Sequence, residues 1–169
     1  MMDLILLRHG PAGKADGKRW PDDDKRPLTA KGRKAVKRAV KGLRATNAVP
    51  ERILTSPALR TRETAEIAAG IFALRAAAVA DFKDAHHARS PARAVQALAR
   101  MRLPHTIAIV GHEPWLGEFL SMLLTGRSGA GLAFAKAGAA LVRFEGSRPA
   151  KGRGNLVWLL LPEQLSALS

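Results

Sequence analysis

Apolar residues along the chain fall into short, nearly continuous runs, separated by longer segments in which apolar residues recur at helical spacing. Short apolar runs bounded by Gly, Pro or charged residues are typical of strands, and nearly continuous runs are typical of strands buried on both faces. The strands predicted in this way are Asp3–Arg8, Arg52–Thr55, Ala76–Ala80, Thr106–Val110, Leu141–Phe144 and Leu156–Leu161.

Residues that favour helix starts stand before the segments with helical spacing. Thr29 is a good N-cap, and Ser56 and Ser90 are each followed by a proline, which the first helical position tolerates well. The predicted helices run from Thr29 to about Thr46, from Ser56 to about Ile71, from Ser90 to about Met101 and from Pro114 through Leu124.

Strands that alternate with helices predict an α/β fold with a mostly parallel sheet. We expect a three-layer sandwich in which this central sheet is flanked by helices. The length of 169 residues fits a single domain, 1–169, with one core.

Composition narrows the chemistry. The chain contains no cysteine, which excludes disulfides, thiolate catalysis and cysteine metal sites. Its formal net charge of +14 favours anionic ligands without naming one. The apolar runs, such as Leu156–Leu161, are too short to cross a bilayer, and the N-terminus lacks the pattern of a signal peptide. We therefore expect a cytoplasmic protein without a membrane segment.

Four residues lie where open α/β sheets bind their ligands, beyond the carboxyl ends of the strands. Arg8 and His9 end the first predicted strand. Arg60 lies near the start of the helix after the second strand, and His112 follows the strand Thr106–Val110. The sequence therefore predicts that two arginines and two histidines share one pocket.

This combination suits phosphoryl transfer. A guanidinium group matches the oxygens of a phosphate, and a neutral histidine is a competent nucleophile towards phosphorus. We expect Arg8, Arg60 and a cationic His112 to lower the pKa of His9 and keep it unprotonated. The same cations would stabilise the charge of the transition state, so that neither a metal nor another cofactor is expected.

Three segments resemble the histidine phosphatase superfamily, the phosphoglycerate-mutase-like enzymes. They are Arg8-His9-Gly10, Ser56-Pro57-Ala58-Leu59-Arg60 and Ile109-Val110-Gly111-His112-Glu113-Pro114. The short chain and the segment Arg26-Pro27-Leu28-Thr29 are similar to the SixA-type phosphohistidine phosphatases in particular.

The resemblance implies a phosphoglycerate-mutase-like fold and a phosphorylated nucleophile at His9. It further implies that Arg8, Gly10, Arg60 and His112 bind the phosphoryl group, and that Arg26 borders the pocket.

The proton donor for the leaving group is the part that the sequence matches poorly. Larger members of the superfamily place a glutamate after the third strand. At that place the chain offers Asp81 as the first candidate and Asp84 as the second. A site without a strong acid favours phosphohistidine, because a protonated imidazole leaves readily, whereas an alkoxide requires general acid catalysis worth about 10²–10⁴-fold.

Two other clusters suggest a metal site but are interpreted otherwise. His86 and His87 are adjacent, so they cannot both face one site in a regular helix or strand, and we interpret them as a solvated pair near the pocket mouth. The run Asp22–Asp24 lacks the further spacing of a calcium loop and is assigned to a loop near the pocket.

The partner expected from these residues is a phosphorylated substrate, a phosphohistidine-bearing signalling or phosphotransfer protein. Small phosphate esters, nucleotides or condensed phosphates are the alternative substrates, and a non-catalytic module that binds phosphate or nucleic acid is the alternative of another class. The helix Lys31–Arg44 carries seven cations and no acid, and we interpret it as a solvated face. It lacks interleaved aromatic residues, so specific nucleic-acid binding is not expected.

Overall fold

A six-stranded mixed sheet forms the centre of the computed structural model, which describes residues 1–169. The strands lie in the order β3-β2-β4-β1-β5-β6. The first four strands along the chain are parallel, whereas β5 and β6 form an antiparallel edge beside β1. Their bounds are β1 Met2–Arg8, β2 Arg52–Thr55, β3 Val79–Asp81, β4 Thr106–Gly111, β5 Ala139–Phe144 and β6 Asn155–Leu160.

Five α-helices cover the two faces of this sheet. They are α1 Ala30–Ala45, α2 Leu59–Phe72, α3 Pro91–Arg100, α4 Trp115–Thr125 and α5 Pro162–Ala167. Three short 3₁₀ turns stand at Asp23–Lys25, Ala76–Ala78 and Lys83–Ala85. None of the helices is long and apolar enough to pass through a membrane.

The side chains of β1 show how the three layers arise. Leu4 and Leu6 pack into a core with α3 and α4, whereas Ile5 and Leu7 pack into a second core with α1, α2 and α5. Successive side chains of a strand point to opposite faces, so a continuous apolar run supplies both cores. The sheet therefore separates two cores, whereas the chain length suggested one. The predicted three-layer α/β fold is confirmed.

Capping explains where two of the predicted helices begin. The Thr29 hydroxyl accepts the N–H of Gly32 at 2.9 Å, and the side chain of Ser90 caps α3 by accepting the N–H of Ala92. A Cβ on Gly32 would lie 1.8 Å from the carbonyl oxygen of Pro11. The start of α1 is therefore pressed against the segment that follows His9.

Two expectations about elements were wrong, and one helix was not expected. The second helix begins at Leu59 rather than at Ser56, because Ala58 is extended (φ −64°, ψ 141°) and the Ser56 hydroxyl contacts a histidine instead of capping. The segment predicted as the strand Ala76–Ala80 forms a 3₁₀ turn first and only then β3. Helix α5, with proline at its first position, was not predicted.

Candidate active site

The carboxyl ends of β1, β2 and β4 meet at one edge of the sheet and carry the predicted site. Arg8 pairs in register with Gly111, so His9 and His112 follow neighbouring strands, and their ring centroids lie 5.3 Å apart. Arg60 joins them from the first turn of α2. These side chains surround a pocket of about 400 Å³, lined by Arg8, His9, Asp23, Arg26, Arg60, His87, His112, Glu113, Pro114 and Lys136.

His9 has a defined tautomer. Its Nδ1 lies 2.7 Å from the carbonyl oxygen of Gly10. A carbonyl oxygen only accepts, so Nδ1 holds the proton and Nε2 keeps its lone pair. Burial lowers the pKa of His9 to about 4, with smaller contributions from Arg60, Arg8 and Lys136, although the bond to Gly10 opposes the shift. The ring is therefore neutral at physiological pH and has a free nucleophilic nitrogen.

His112 is also neutral, which corrects the expectation of a cationic His112. Burial lowers its pKa to about 2, and Arg60 and the neighbouring histidines add to the shift. Its Nε2 lies 2.8 Å from the Ser56 hydroxyl, and its buried Nδ1 has no partner. The expected depression of the His9 pKa is present, but burial is its main cause and the two arginines supply the nearby charge.

Both pocket arginines, Arg8 and Arg60, are held in place by backbone carbonyls. Arg8 Nη1 donates to the carbonyl oxygen of Phe134, and Arg60 Nη1 donates to that of Asp23 at 2.7 Å. In each guanidinium group the buried Nε has no partner. Two fixed guanidinium groups with unused donors form a site that fits a tetrahedral oxyanion.

Asp23 occupies part of this anion site. Its carboxylate contacts Arg60 Nη2 at 3.1 Å and Arg26 Nε at 2.8 Å, and these cations, Arg26 first, lower its pKa. Arg26 also donates to the carbonyl oxygen of Gly13 at 2.6 Å. Arg26 thus borders the pocket, where Asp23 links it to Arg60.

Three of the predicted site residues lie elsewhere. Gly10 does not line the pocket, because its N–H donates to the Thr64 hydroxyl at 3.2 Å and its Cα faces tightly packed side chains. Asp81 ends the edge strand β3 and is ion-paired with Arg62 outside the pocket. Asp84 also lies outside it and faces Arg93 at 3.5 Å. Neither aspartate is placed to protonate the atom that leaves phosphorus when His9 attacks.

Five pocket residues were not predicted as site residues: Asp23, His87, Glu113, Pro114 and Lys136. Glu113 directly follows His112, and this adjacency in the sequence could have predicted that Glu113 lines the pocket. Its Oε1 accepts the N–H of Phe134 at 2.9 Å, while Arg8 donates to the oxygen of that residue. Burial raises the pKa of Glu113. Glu113 and Arg8 therefore both hold the segment at Phe134 against the pocket.

His86 and His87 lie near the pocket mouth, and their rings face each other. They lie in a turn after the 3₁₀ segment Lys83–Ala85 rather than in a regular element, and their ring centroids are 4.1 Å apart. His86 Nε2 lies 2.9 Å from Asp24 Oδ2, and the ring of His87 lies 5.5 Å from that of His112.

A metal ion could approach this group, since the ligand atoms of Asp24, His86 and His87 lie within 4.8 Å of one another. The hydrogen bonds of His86 indicate that its Nε2 carries a proton rather than a metal ion. The N–H of Ala88 donates to His86 Nδ1 at 3.2 Å, so the ring proton stands on Nε2 and is donated to Asp24. A metal at Nε2 would have to replace that proton, while Nδ1 would still need its lone pair for Ala88.

Comparisons with known proteins agree with this geometry. The sequence model of the histidine phosphatase superfamily (branch 1) matches residues 4–90, slightly more than half of the chain. An uncharacterised protein of Picosynechococcus sp. is 33% identical over 165 residues, which cover 94% of this chain and 95% of that protein.

Two solved structures show the extent of the fold similarity. The protein histidine phosphatase SixA, complexed with tungstate, has a TM-score of 0.80 and 23% identity over 97% of this chain and 99% of its own. A mycobacterial glucosyl-3-phosphoglycerate phosphatase has a TM-score of 0.68 and 15% identity over 94% and 99% of the two chains. At these identities the similarity establishes the phosphoglycerate-mutase-like fold, as predicted.

Proposed function

The chain belongs to the histidine phosphatase superfamily, and from that premise we propose that it hydrolyses phosphohistidine on a protein through a phosphoryl intermediate on His9. The observation that carries this proposal is the state of His9. It is a neutral ring with Nδ1 bonded to a carbonyl and Nε2 free, and it lies beside two fixed arginines. A group that only bound phosphate would not need such a nucleophile.

The first step forms a bond between His9 Nε2 and phosphorus while the bond to the leaving atom breaks. Arg8 and Arg60, which both line the pocket, hold the equatorial oxygens through their guanidinium groups. To bind, the phosphoryl group replaces Asp23 at Arg60. The two guanidinium groups supply the charge that a metal would otherwise provide, and we propose a metal-independent reaction on that ground.

His112 completes the oxyanion site as a neutral donor. Phosphate oxygens only accept, so binding selects the tautomer with the proton on Nδ1, the nitrogen that has no partner. Nε2 then accepts from the Ser56 hydroxyl at 2.8 Å. Ser56 thus orients His112 from the segment before α2. Its hydroxyl is available for this contact because Ser56 does not cap α2.

The choice of phosphohistidine rests on the acids near the pocket. The carboxylate of Glu113 is used by the N–H of Phe134, and that of Asp23 is used by two arginines. Both carboxyl groups are already engaged, which disfavours either as the general acid for an alkoxide. An imidazole needs less help from an acid to leave than an alkoxide does, so a site without a free carboxylic acid suits a phosphoramidate substrate better than an alkyl ester.

A small phosphate ester is the second candidate, and one observation favours it. Arg26 and Lys136 add two further cations to the pocket lining, beyond the two arginines of the oxyanion site. These cations could bind a carboxylate or a second phosphate of a small substrate.

The test compares wild type, His9→Ala and the control His105→Ala on a phosphohistidine protein, an aryl phosphate and an alkyl phosphate. His105 is exposed at the opposite end of β4, next to Thr106, so its replacement should not change the activity. We expect His9→Ala to abolish turnover of all three, and wild type to prefer the phosphohistidine protein. A preference for the alkyl phosphate would select the second candidate, and full activity of His9→Ala would contradict the mechanism.

A further inference from the structure

Four of the five histidines of the chain gather at one site. His9 and His112 form the bottom of the pocket, where both are buried. His86 and His87 arrive from the turn between β3 and α3, and only His87 lines the pocket. The proposed nucleophile and oxyanion site leave the second pair without a role.

We propose that His87 is the proton donor to the leaving atom, and that it then activates the water that hydrolyses phospho-His9. This inference rests on the proposed function. It assigns to a histidine the step for which the sequence suggested Asp81 or Asp84.

The position of His87 fits this role. The rings of His9 and His87 lie 5.3 and 5.5 Å from the ring of His112. A phosphoryl group in contact with His112 is therefore within reach of both, with the nucleophile on one side and His87 at the mouth, where the leaving group departs. A general acid must lie within hydrogen-bonding distance of the leaving atom, and no other histidine is exposed there.

The nitrogens of His87 are also free, unlike those of its neighbours. His9 Nδ1 is bonded to the carbonyl of Gly10, and His86 is held by Asp24 and by the N–H of Ala88. No hydrogen bond of His87 side-chain nitrogens is present in the structure, and the residue is exposed.

His86 acts as a positioning residue for His87. Its two ring nitrogens are both bonded, which fixes the plane of the ring. The ring of His87 lies against it at 4.1 Å with an angle of 36°. This contact restricts His87 to the side of the turn that faces the pocket.

The proposed steps conserve protons and electrons. Protonated His87 gives its proton to the leaving oxygen or nitrogen as the bond from that atom to phosphorus breaks and the bond from His9 Nε2 forms. Neutral His87 then takes a proton from water while the water oxygen attacks phosphorus. The bond to Nε2 breaks, its electron pair returns to His9, phosphate departs, and His87 is protonated again for the next turnover.

The charges around His87 set the pH range of this step. Burial lowers the pKa of His87 from its ordinary 6.5; His86 and Arg60 lower it further, and Asp24 and Asp23 oppose them. The acid works when protonated, so turnover of substrates with poor leaving groups should fall as the pH rises through this pKa. Binding of an anionic phosphoryl group moves the pKa of His87 upward.

The test is a series of leaving groups, run with wild type, His87→Gln and the control His105→Gln. The series contains p-nitrophenyl phosphate, phenyl phosphate and an alkyl phosphate. We expect His87→Gln to lose about 10²-fold in kcat/KM, which reports the step in which the leaving group departs, on the two poor leaving groups and only a few-fold on p-nitrophenyl phosphate. The decline in kcat/KM at high pH should disappear in this variant, whereas His105→Gln should match wild type. An equal loss on all three esters, or none, overturns the role of His87.

His9→Ala separates this result from the proposed function. If His9→Ala keeps its activity, the phosphohistidine mechanism fails whatever His87 does. If His9→Ala is inactive but His87→Gln treats all leaving groups alike, only the proton donor is wrong. His87 is exposed in a turn, so His87→Gln should fold, and an unchanged melting temperature verifies this.

Discussion

The two buried histidines should make the protein sensitive to acid. His9 and His112 are neutral in the folded state, with pKa values of about 4 and about 2, whereas an unfolded histidine titrates near 6.5. Below pH 6.5 the unfolded chain therefore binds protons that the folded protein excludes. The stability is fully present above pH 6.5 and is lost as the pH falls from there towards the pKa values of the folded state.

The size of the effect follows from the shifts. Each unit of difference is worth about 1.36 kcal/mol, and pH 5 lies one and a half units below the unfolded value of 6.5. Each histidine should therefore cost the folded state roughly 2 kcal/mol between pH 7.5 and pH 5, and the pair roughly 4 kcal/mol. Replacing one of these histidines by glutamine should remove its contribution to this pH-dependent loss of stability.

The assay is urea unfolding at pH 7.5 and at pH 5.0, followed by circular dichroism. The quantity of interest is the difference in free energy of unfolding between the two pH values. Any stability lost because glutamine makes fewer contacts than histidine is the same at both pH values and cancels in this difference. We expect His9→Gln and His112→Gln to show a difference smaller than that of wild type by about 2 kcal/mol each. The exposed His105→Gln should retain the wild-type difference. Equal pH dependence in all four proteins would refute the buried, neutral state of the two histidines.

Three further outcomes are expected. Asp23→Asn should tighten inhibition by inorganic phosphate about two- to fivefold, measured as Ki, because the carboxylate of Asp23 no longer competes for Arg60; unchanged or weaker inhibition would argue against that competition. Asp81→Asn should change kcat/KM less than about twofold, because Asp81 lies in an exposed ion pair outside the pocket, and a large loss would restore it as the acid. Gly42→Ala should destabilise the protein by about 1–3 kcal/mol in thermal unfolding, since its Cβ would lie 1.6 Å from a backbone oxygen of α5, whereas its control Gly70→Ala, with open space around it, should stabilise α2.

The central residues of the site were predictable because local signals fixed their places. One apolar run ends in Arg8-His9, and another is followed by His112. When such strands are adjacent and parallel, these residues come to the same edge of the sheet. The fold class followed from the same alternation of strands and helices. These predictions needed no knowledge of how the loops run.

The residues that were missed depend on loops and distant partners. Asp23 begins a three-residue 3₁₀ turn and His87 lies in a turn, and no periodicity in the sequence encodes the path of such short segments. The partner of Glu113 is a backbone N–H 21 residues away. In a regular helix or strand His86 and His87 could not both face one site, but the chain turns at these residues. Asp81 was expected at the pocket because it follows the third predicted strand, but β3 is an edge strand of the sheet and Asp81, its last residue, pairs with Arg62 of α2.

The most direct test of the phosphohistidine mechanism is the identity of the covalent intermediate. The enzyme is mixed with a ³²P-labelled phosphohistidine protein, quenched in alkali within milliseconds, digested and analysed by mass spectrometry. We predict an acid-labile phosphoryl group on His9, formed and lost at rates compatible with turnover, and no label in His9→Ala. Label on another residue, or full turnover without any label on His9, would contradict the account.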